Sequence, residues 1–344
     1  MTTTTNKRRW ALGLMLLGAC GPGELSRAAV PVSMEASTYA VAPTCGPAKV
    51  RSLRAVLPDD GLQGVMEVDV GALQRSPLFR DHRSLFEAEA REVLDGMNAC
   101  GVPLSKVDRL VAGFTMGDDV VLGVRATGLA QAKTLDCLAR EIGKSTGTPA
   151  WSRTTTGCST TLEIDGGKAK GFAVGRDMLV VASASLAGAV ERRIEGKDVS
   201  ALDGKLRWAR REVDMGHTAW VAGNLPPAVA AGMGSMSGLD HVGLSVDATK
   251  GLGLQVSMGF VSPRDATAAK TELSGLVIQA RAMLPMVGLP ESVADTITLE
   301  ARGRAVRLGV FLRPRDVEAL SKTLEGAMGG SSSSPSSPAP RRGM

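Results

Sequence analysis

Between residues 107 and 142 an apolar run, VDRLVAGFT, meets the turn MGDD and a second run, VVLGVRA, before an amphipathic stretch, LAQAKTLDCLAREI. The same order returns at residues 240–284: HVGLSVD, the turn ATKG, LGLQVSMGF, then a long polar-faced stretch opening near Pro263. Alternation with period two, followed by apolar positions three or four apart, predicts a hairpin feeding a helix in both places. Residues 252–260 alternate without a break, with Leu252, Leu254, Val256, Met258 and Phe260 on one face. Gly253, Gln255, Ser257 and Gly259 fall on the other, the pattern of an antiparallel strand with one face on a core.

The remaining elements repeat around these hairpins. Residues 65–70 (VMEVDV) predict a strand, with Met66, Val68 and Val70 inward and Glu67 and Asp69 outward. Ser76-Pro77 opens a helix by cap-plus-proline logic, with Leu85, Phe86, Val93, Leu94 and Met97 as its apolar stripe. Strands at 160–165, 169–175 and 178–182 follow, joined by the turns DGGK and GRD. In the second half TAWVAGNL plays the part of VMEVDV, Pro226-Pro227 that of Ser76-Pro77, and a closing hairpin (TITLEARG, RAVRLGVFL) precedes a helix from Pro314. The fold class expected is α+β: two similar modules of antiparallel sheet with helices packed on one face. The modules span residues 62–198 and 212–328, with a helical connection at 199–211. A Ser/Pro/Gly-rich tail, 329–344, cannot bury apolar surface and is expected to be disordered.

The first twenty residues, MTTTTNKRRWALGLMLLGAC, are of another kind. Lys7, Arg8 and Arg9 precede an apolar run of about ten residues, too short to span a bilayer and suited to a signal peptide. It ends in Leu17-Gly18-Ala19-Cys20, which resembles the lipobox of bacterial lipoproteins. The resemblance implies cleavage before Cys20 and lipidation of its thiol. Residues 20–61, rich in Pro, Gly and Ala, are then the tether. The site implied is the cell envelope of a Gram-negative bacterium, lipid-anchored at the outer membrane on its periplasmic or surface face. The globular part is similar to exported bacterial proteins with tandem α+β modules in pattern alone.

Charge adds little to this picture. The formal charge of +5 is carried by Lys7, Arg8 and Arg9 at one end and Arg341 and Arg342 at the other. The stretch between is near neutral, and aromatics are 3% of the chain, which argues against nucleic acid as a partner.

If Cys20 carries lipid, four cysteines remain, and in an oxidising compartment they predict two disulfides. Short-range closure favours Cys137 with Cys158, leaving Cys45 for Cys100. No two cysteines have metal-ligand spacing and none has a histidine nearby, so neither a metal nor another cofactor is expected. The three histidines, His82, His217 and His241, form no metalloprotease or nucleophile frame. The run 232–238 (GMGSMSG) lacks the lysine of a phosphate loop, and Asp59, Asp60, Asp118, Asp119 and Asp165 sit in turns.

No catalytic residue is assigned. The expected function is non-enzymatic binding, with the membrane met through the anchor and an unknown protein or apolar ligand met through the sheet. Gln255 and Ser257, on the small and polar face of their strand, are the candidate contact residues. A carrier for lipid would instead require a Leu/Val/Met-lined cavity between sheet and helices. An exported hydrolase would require a pocket gathering His217, His241 and an acid.

Overall fold

The computed structural model describes residues 50–320, except 82, 145, 146, 157, 158 and 288. Cys20, Cys45 and Cys158 lie outside the described residues, as do the signal-like segment, most of the expected tether and the tail. The first module opens with β1 (Gly64–Asp69), α1 (Val70–Arg75), α2 (Pro77–Asp81) and α3 (Arg83–Ala99). The hairpin β2 (Val107–Phe114) and β3 (Val120–Ala126) leads into α4 (Ala132–Gly143). Then come β4 (Trp151–Thr156), β5 (Ser159–Ile164), β6 (Ala169–Val174), β7 (Met178–Ser183) and α5 (Ala184–Ile194). After α6 (Ala209–Glu212) the second module contributes β8 (Ala219–Asn224), α7 (Pro227–Ala231), β9 (Leu239–Asp247) and β10 (Leu252–Phe260). It closes with α8 (Pro263–Met283), β11 (Thr298–Arg302) and β12 (Ala305–Leu312), and residues 314–320 are helical.

All of these strands form one antiparallel sheet of twelve, in the order β11-β12-β10-β9-β8-β1-β2-β3-β7-β6-β5-β4. The α+β class is therefore the observed one. Outward from β1 the chain lays down β2 and β3, sends a helix across, and returns to pair β7 with β3 and β6 with β7. Outward from β8 it does the same with β9, β10, α8, β12 and β11. The first module carries the β4–β5 hairpin in addition. The β4 segment, WSRTTT, is polar and nearly all exposed, and so shows no alternation from which the sequence could reveal it.

The seam between the modules is the β1–β8 pair, with Val65 opposite Ala222 and Glu67 opposite Trp220. Both faces of the sheet are covered near this seam. On one face Val70, Val107 and Leu179 pack with Leu135 and Leu138 of α4. In the second module α8 lies on that same face, its Ala266, Ala269 and Leu273 against Met258 and Phe260. Alanines three apart let the helix approach the strands closely, and Ser262 caps it by accepting from Asp265 N at 3.2 Å. On the opposite face Val65, Val111, Val121 and Val180 pack with the turn Leu53–Val56, with α5 and with Leu202, Leu206 and Val213 of the connection.

This second layer corrects two sequence expectations. Residues 50–61, assigned to the tether, contribute Val50, Leu53, Val56 and Leu57 to the core. At β1 both sides are covered: Val68 and Val70 pack inward as expected, but Met66 is 39% exposed and Glu67, expected outward, only 2%. Glu67 is buried because two arginines meet it. Arg54 Nε lies 2.5 Å from Oε2, and Arg54 Nη2 and Arg109 Nη1 lie 2.7 and 2.6 Å from Oε1. Arg109 also reaches Asp69 at 3.0 Å, and Arg54 donates to the Met215 carbonyl at 2.8 Å.

The cysteine pairing is corrected as well. Cys100 is bonded to Cys137, with Cα atoms 5.6 Å apart, in place of the expected Cys137–Cys158 and Cys45–Cys100 bonds. Short sequence separation misled here. The helices α3 and α4 lie side by side on one face of the sheet, which brings the residue following α3 against the middle of α4. A disulfide needs that spatial proximity and not a short loop.

Two outcomes follow for this fold. Peptide mapping without reduction should recover Cys100 linked to Cys137, and the Cys100→Ser variant should lose about 4 kcal/mol of stability in the chain-entropy model. Recovery of Cys137 linked to any other cysteine would contradict the packing of α3 on α4. Replacing Glu67 by Ala leaves Arg54 and Arg109 without their shared carboxylate and should cost about 3 kcal/mol in urea unfolding.

Candidate functional site

The residues with chemistry gather where the connection, which in the structure runs from residue 199 to 217 and so past the expected end at 211, crosses the second module's sheet. Glycine makes this crossing possible. A Cβ on Gly243 would lie 2.3 Å from Val213 Cγ2, and one on Gly259 would lie 1.9 Å from His241 Nε2. His241 pairs across strands with Gly259, so its ring lies over the space that the glycine leaves. Trp208 stacks on that ring at 3.9 Å between centroids and donates from Nε1 to Asn224 Oδ1 at 2.7 Å.

His241 is thus buried at 8% exposure, with Nδ1 2.9 Å from Asp240 Oδ2 and Nε2 2.9 Å from Glu212 Oε2. A protonated ring donates to both carboxylates, whereas a neutral ring has only one N–H to give. Burial alone would lower the pKa of this group. The hydrogen bonds to Glu212 and Asp240, aided by their charges, outweigh it and raise the pKa above the ordinary histidine value.

A second histidine lies close by. His217 Nδ1 is 3.1 Å from Ser245 Oγ, and its Nε2 is 3.1 Å from Asp214 Oδ2. The order serine, histidine, aspartate is that of a hydrolase relay, but two features disqualify it. Ser245 is 1% exposed, so no substrate carbonyl reaches its hydroxyl. It also lies mid-strand between Trp220 and Gln255, where the backbone N–H groups belong to the ladder and cannot form an oxyanion hole. The acid beyond, Asp247, is subject to burial that would raise its pKa. Donation from the Thr249 hydroxyl and N–H, with the charges of His217 and Lys250, brings it below the usual value.

The two sequence-assigned contact residues fare differently. Gln255 is half-buried on this face, opposite Ser245 and Gly309. Ser257 is 1% exposed and is corrected: it is not a contact surface. It lies between Gly243 and Arg307, and the Arg307 side chain crosses to donate to the Arg211 carbonyl at 2.9 Å. The small residues accommodate the connection from the same chain and do not hold the backbone open to a partner. The Ser257 hydroxyl has no hydrogen-bond partner among the described residues.

Other sequence candidates have structural duties. Asp59 Oδ1 accepts from Lys205 N at 2.6 Å, pinning the connection to the chain before β1. Gly232–Gly238 closes α7 and packs against Asp265 at the start of α8. Sequence reasoning missed Glu212, Asp214 and Trp208. Their only signal is that a polar, aromatic connection follows one module and precedes another whose sheet face is lined by glycines. No group of three or more His, Cys, Asp or Glu side chains among the described residues is placed to hold a metal ion.

Because the His241 pKa is raised on folding, its stabilising contribution is complete below the unfolded value near 6.5 and is lost as pH rises through the folded value. The stability gap between the wild type and His241→Gln, read from urea midpoints, should therefore be wider at pH 5.5 than at pH 8.5. A gap independent of pH would show that the ring is held by packing alone.

No family model matches the chain, and no curated protein sequence matches it. Among solved structures, crystal form I of TP0453 is similar at a TM-score of 0.42 and 9% identity, over 80% of this chain and 98% of that one.

Proposed function

We propose that the protein is an exported lipoprotein, anchored through Cys20 in the cell envelope of a Gram-negative bacterium, that works by binding and not by catalysis. The observation that carries the anchor is Leu17-Gly18-Ala19-Cys20 at the end of a short apolar run behind Lys7, Arg8 and Arg9. Small residues before the thiol suit the peptidase, and more than one acyl chain makes such an anchor stable. No helix among the described residues is long and apolar enough to cross a membrane.

Binding is favoured over hydrolysis by the burial of Ser245, which leaves the histidine–aspartate pair without an accessible nucleophile. A lipid-carrying role finds no support between sheet and helices. That space is filled by Leu135, Leu138, Leu162 and Leu179 in the first module and by Met258, Phe260 and Leu273 in the second. The contact surface proposed for a protein partner is the outer part of β10 and β12, where Gln255, Gly253 and the exposed Phe311 share one face.

Growth with a clickable fatty-acid analogue should label the wild-type protein and leave Cys20→Ala unlabelled. Equal labelling of both would remove the anchor from this reading. Hydrolysis of an ester or peptide substrate by the purified protein, abolished by His217→Ala, would overturn the non-catalytic part.

A further inference from the structure

The charged side chains of the first module are unevenly partnered. Arg54, Arg109, Arg153 and Arg192 each meet a carboxylate, as does Arg210 in the connection. At one end of the sheet the pattern changes. There β2 begins, β3 ends, the β6–β7 turn projects and the last residue of α1 comes alongside. Two open grooves of about 390 and 250 Å³ adjoin at this end, sharing Arg125 and Asp177.

Arg75, Lys106 and Arg125 line the larger groove, and Arg51 and Arg176 join Arg125 in the smaller. Among the residues lining the grooves only Asp108 and Asp177 stand against these five cations, a local excess of three positive charges on a folded region whose formal charges sum to about zero. Asp177 Oδ1 already accepts from Gly128 N at 2.8 Å, and Asp108 lies 3.8 Å from Arg125. Arg51, Arg75 and Arg176 are all exposed and form no ion pair or side-chain hydrogen bond among the described residues. Gathering unneutralised guanidinium groups costs repulsion, which an anion relieves, and the guanidinium fork matches phosphate oxygens in pairs.

The position of this end in the chain indicates which anion. Val50 and Arg51, the first described residues, line the smaller groove, and Val50 is fixed in the core at 3% exposure. The chain coming from Cys20 therefore enters the fold beside the arginines. Of all the ends of the sheet, this is the one to which the chain from the anchor is directly joined. The grooves are open, shallow and rimmed by charge, which suits a layer of headgroups and not an enclosed ligand.

We infer that this arginine-rimmed sheet end is a membrane-facing surface that takes the phosphate groups of anionic phospholipid headgroups. The inference deepens the lipoprotein reading and rests on it for orientation, because the anchor alone decides which end meets the bilayer. Together they set the molecule on the membrane with the β2–β3 end down.

The test compares two charge-reversed full-length proteins by sedimentation with vesicles of phosphatidylcholine, with and without phosphatidylglycerol. One carries Arg51→Glu, Arg75→Glu and Arg176→Glu. The other carries Arg264→Glu, Lys270→Glu and Arg302→Glu, exposed cations of the second module. Both sets change charge equally and leave the anchor sequence untouched.

The wild type should prefer the anionic vesicles. The groove variant should lose on the order of fivefold in partitioning per arginine, and the distant variant should keep the preference. All of these residues are exposed and form no ion pair or side-chain hydrogen bond among the described residues, so thermal melts should coincide. Equal loss in both variants would reduce the effect to net charge and overturn the site, as would a wild type indifferent to phosphatidylglycerol. Displacement by inorganic phosphate, but not by chloride of equal ionic strength, would make the site one for soluble phosphate and overturn the membrane assignment. Fatty-acid labelling reports on the anchor separately: a labelled protein whose groove variant behaves as wild type loses this inference alone, and an unlabelled one loses the anchor.

Discussion

A single buried carboxylate holds the middle of this structure together. Glu67 lies on β1, the strand both modules share as neighbour, and its two oxygens are divided between Arg54 from the chain before the sheet and Arg109 from β2. Arg54 passes the connection onward by donating to the Met215 carbonyl. One ionised group thereby fixes the entry of the chain, the central strands and the return of the connection across the sheet. A carboxylate at 2% exposure is tolerable only with this full set of partners, since the desolvation of one charge is offset only by well-placed opposite charges. The guanidinium of Arg54, 5.6 Å from the centre of the Trp220 ring, extends the same arrangement into β8.

What the sequence revealed, and what it concealed, divides along the range of the interactions. The hairpins at β2–β3 and β9–β10, the proline-opened helices and the closing hairpin of the second module are local consequences of alternation and caps. They were legible for that reason. The burial of Glu67 on β1 was not. Alternation separates Met66 and Val68 from Glu67 and Asp69 but does not say that both sides are covered, and the arginines that cover Glu67 lie 13 and 42 residues away. The glycines and serines of β10 were read as a surface left open. The smallness of Gly259 instead accommodates His241, as that of Gly243 on β9 accommodates Val213, and the Arg307 side chain crosses the same face, a decision taken by other parts of the chain.

The same distinction applies to the chemistry. The spacing of Cys100 and Cys137 carried no hint that α3 and α4 lie together, and the shorter Cys137–Cys158 separation looked the easier closure. His217 and His241 were visible as residues beside Asp214 and Asp240, but not as partners of Ser245 and Glu212, which lie 28 and 29 residues away. Both histidine clusters join the connection to the second module's sheet. Polar side chains thus fix the position of a segment that Leu202, Leu206, Trp208 and Val213 already hold in the core, and Trp208 also stacks on His241.

The place of β8 beside β1 also orders the assembly of the molecule in time. A chain made from its amino terminus can pair β1 with β2 once residue 114 is available, but the other edge of β1 waits for residues 219–224. Until then the central strand of the finished sheet is an edge, with unpaired backbone groups and Val65 beside the ionised Glu67. Contacts of such sequence separation form late and slowly. Arg54 and Arg109 both precede residue 114, so Glu67 has its partners before β8 is made, and it is the neutralised pair that Trp220 of β8 later covers.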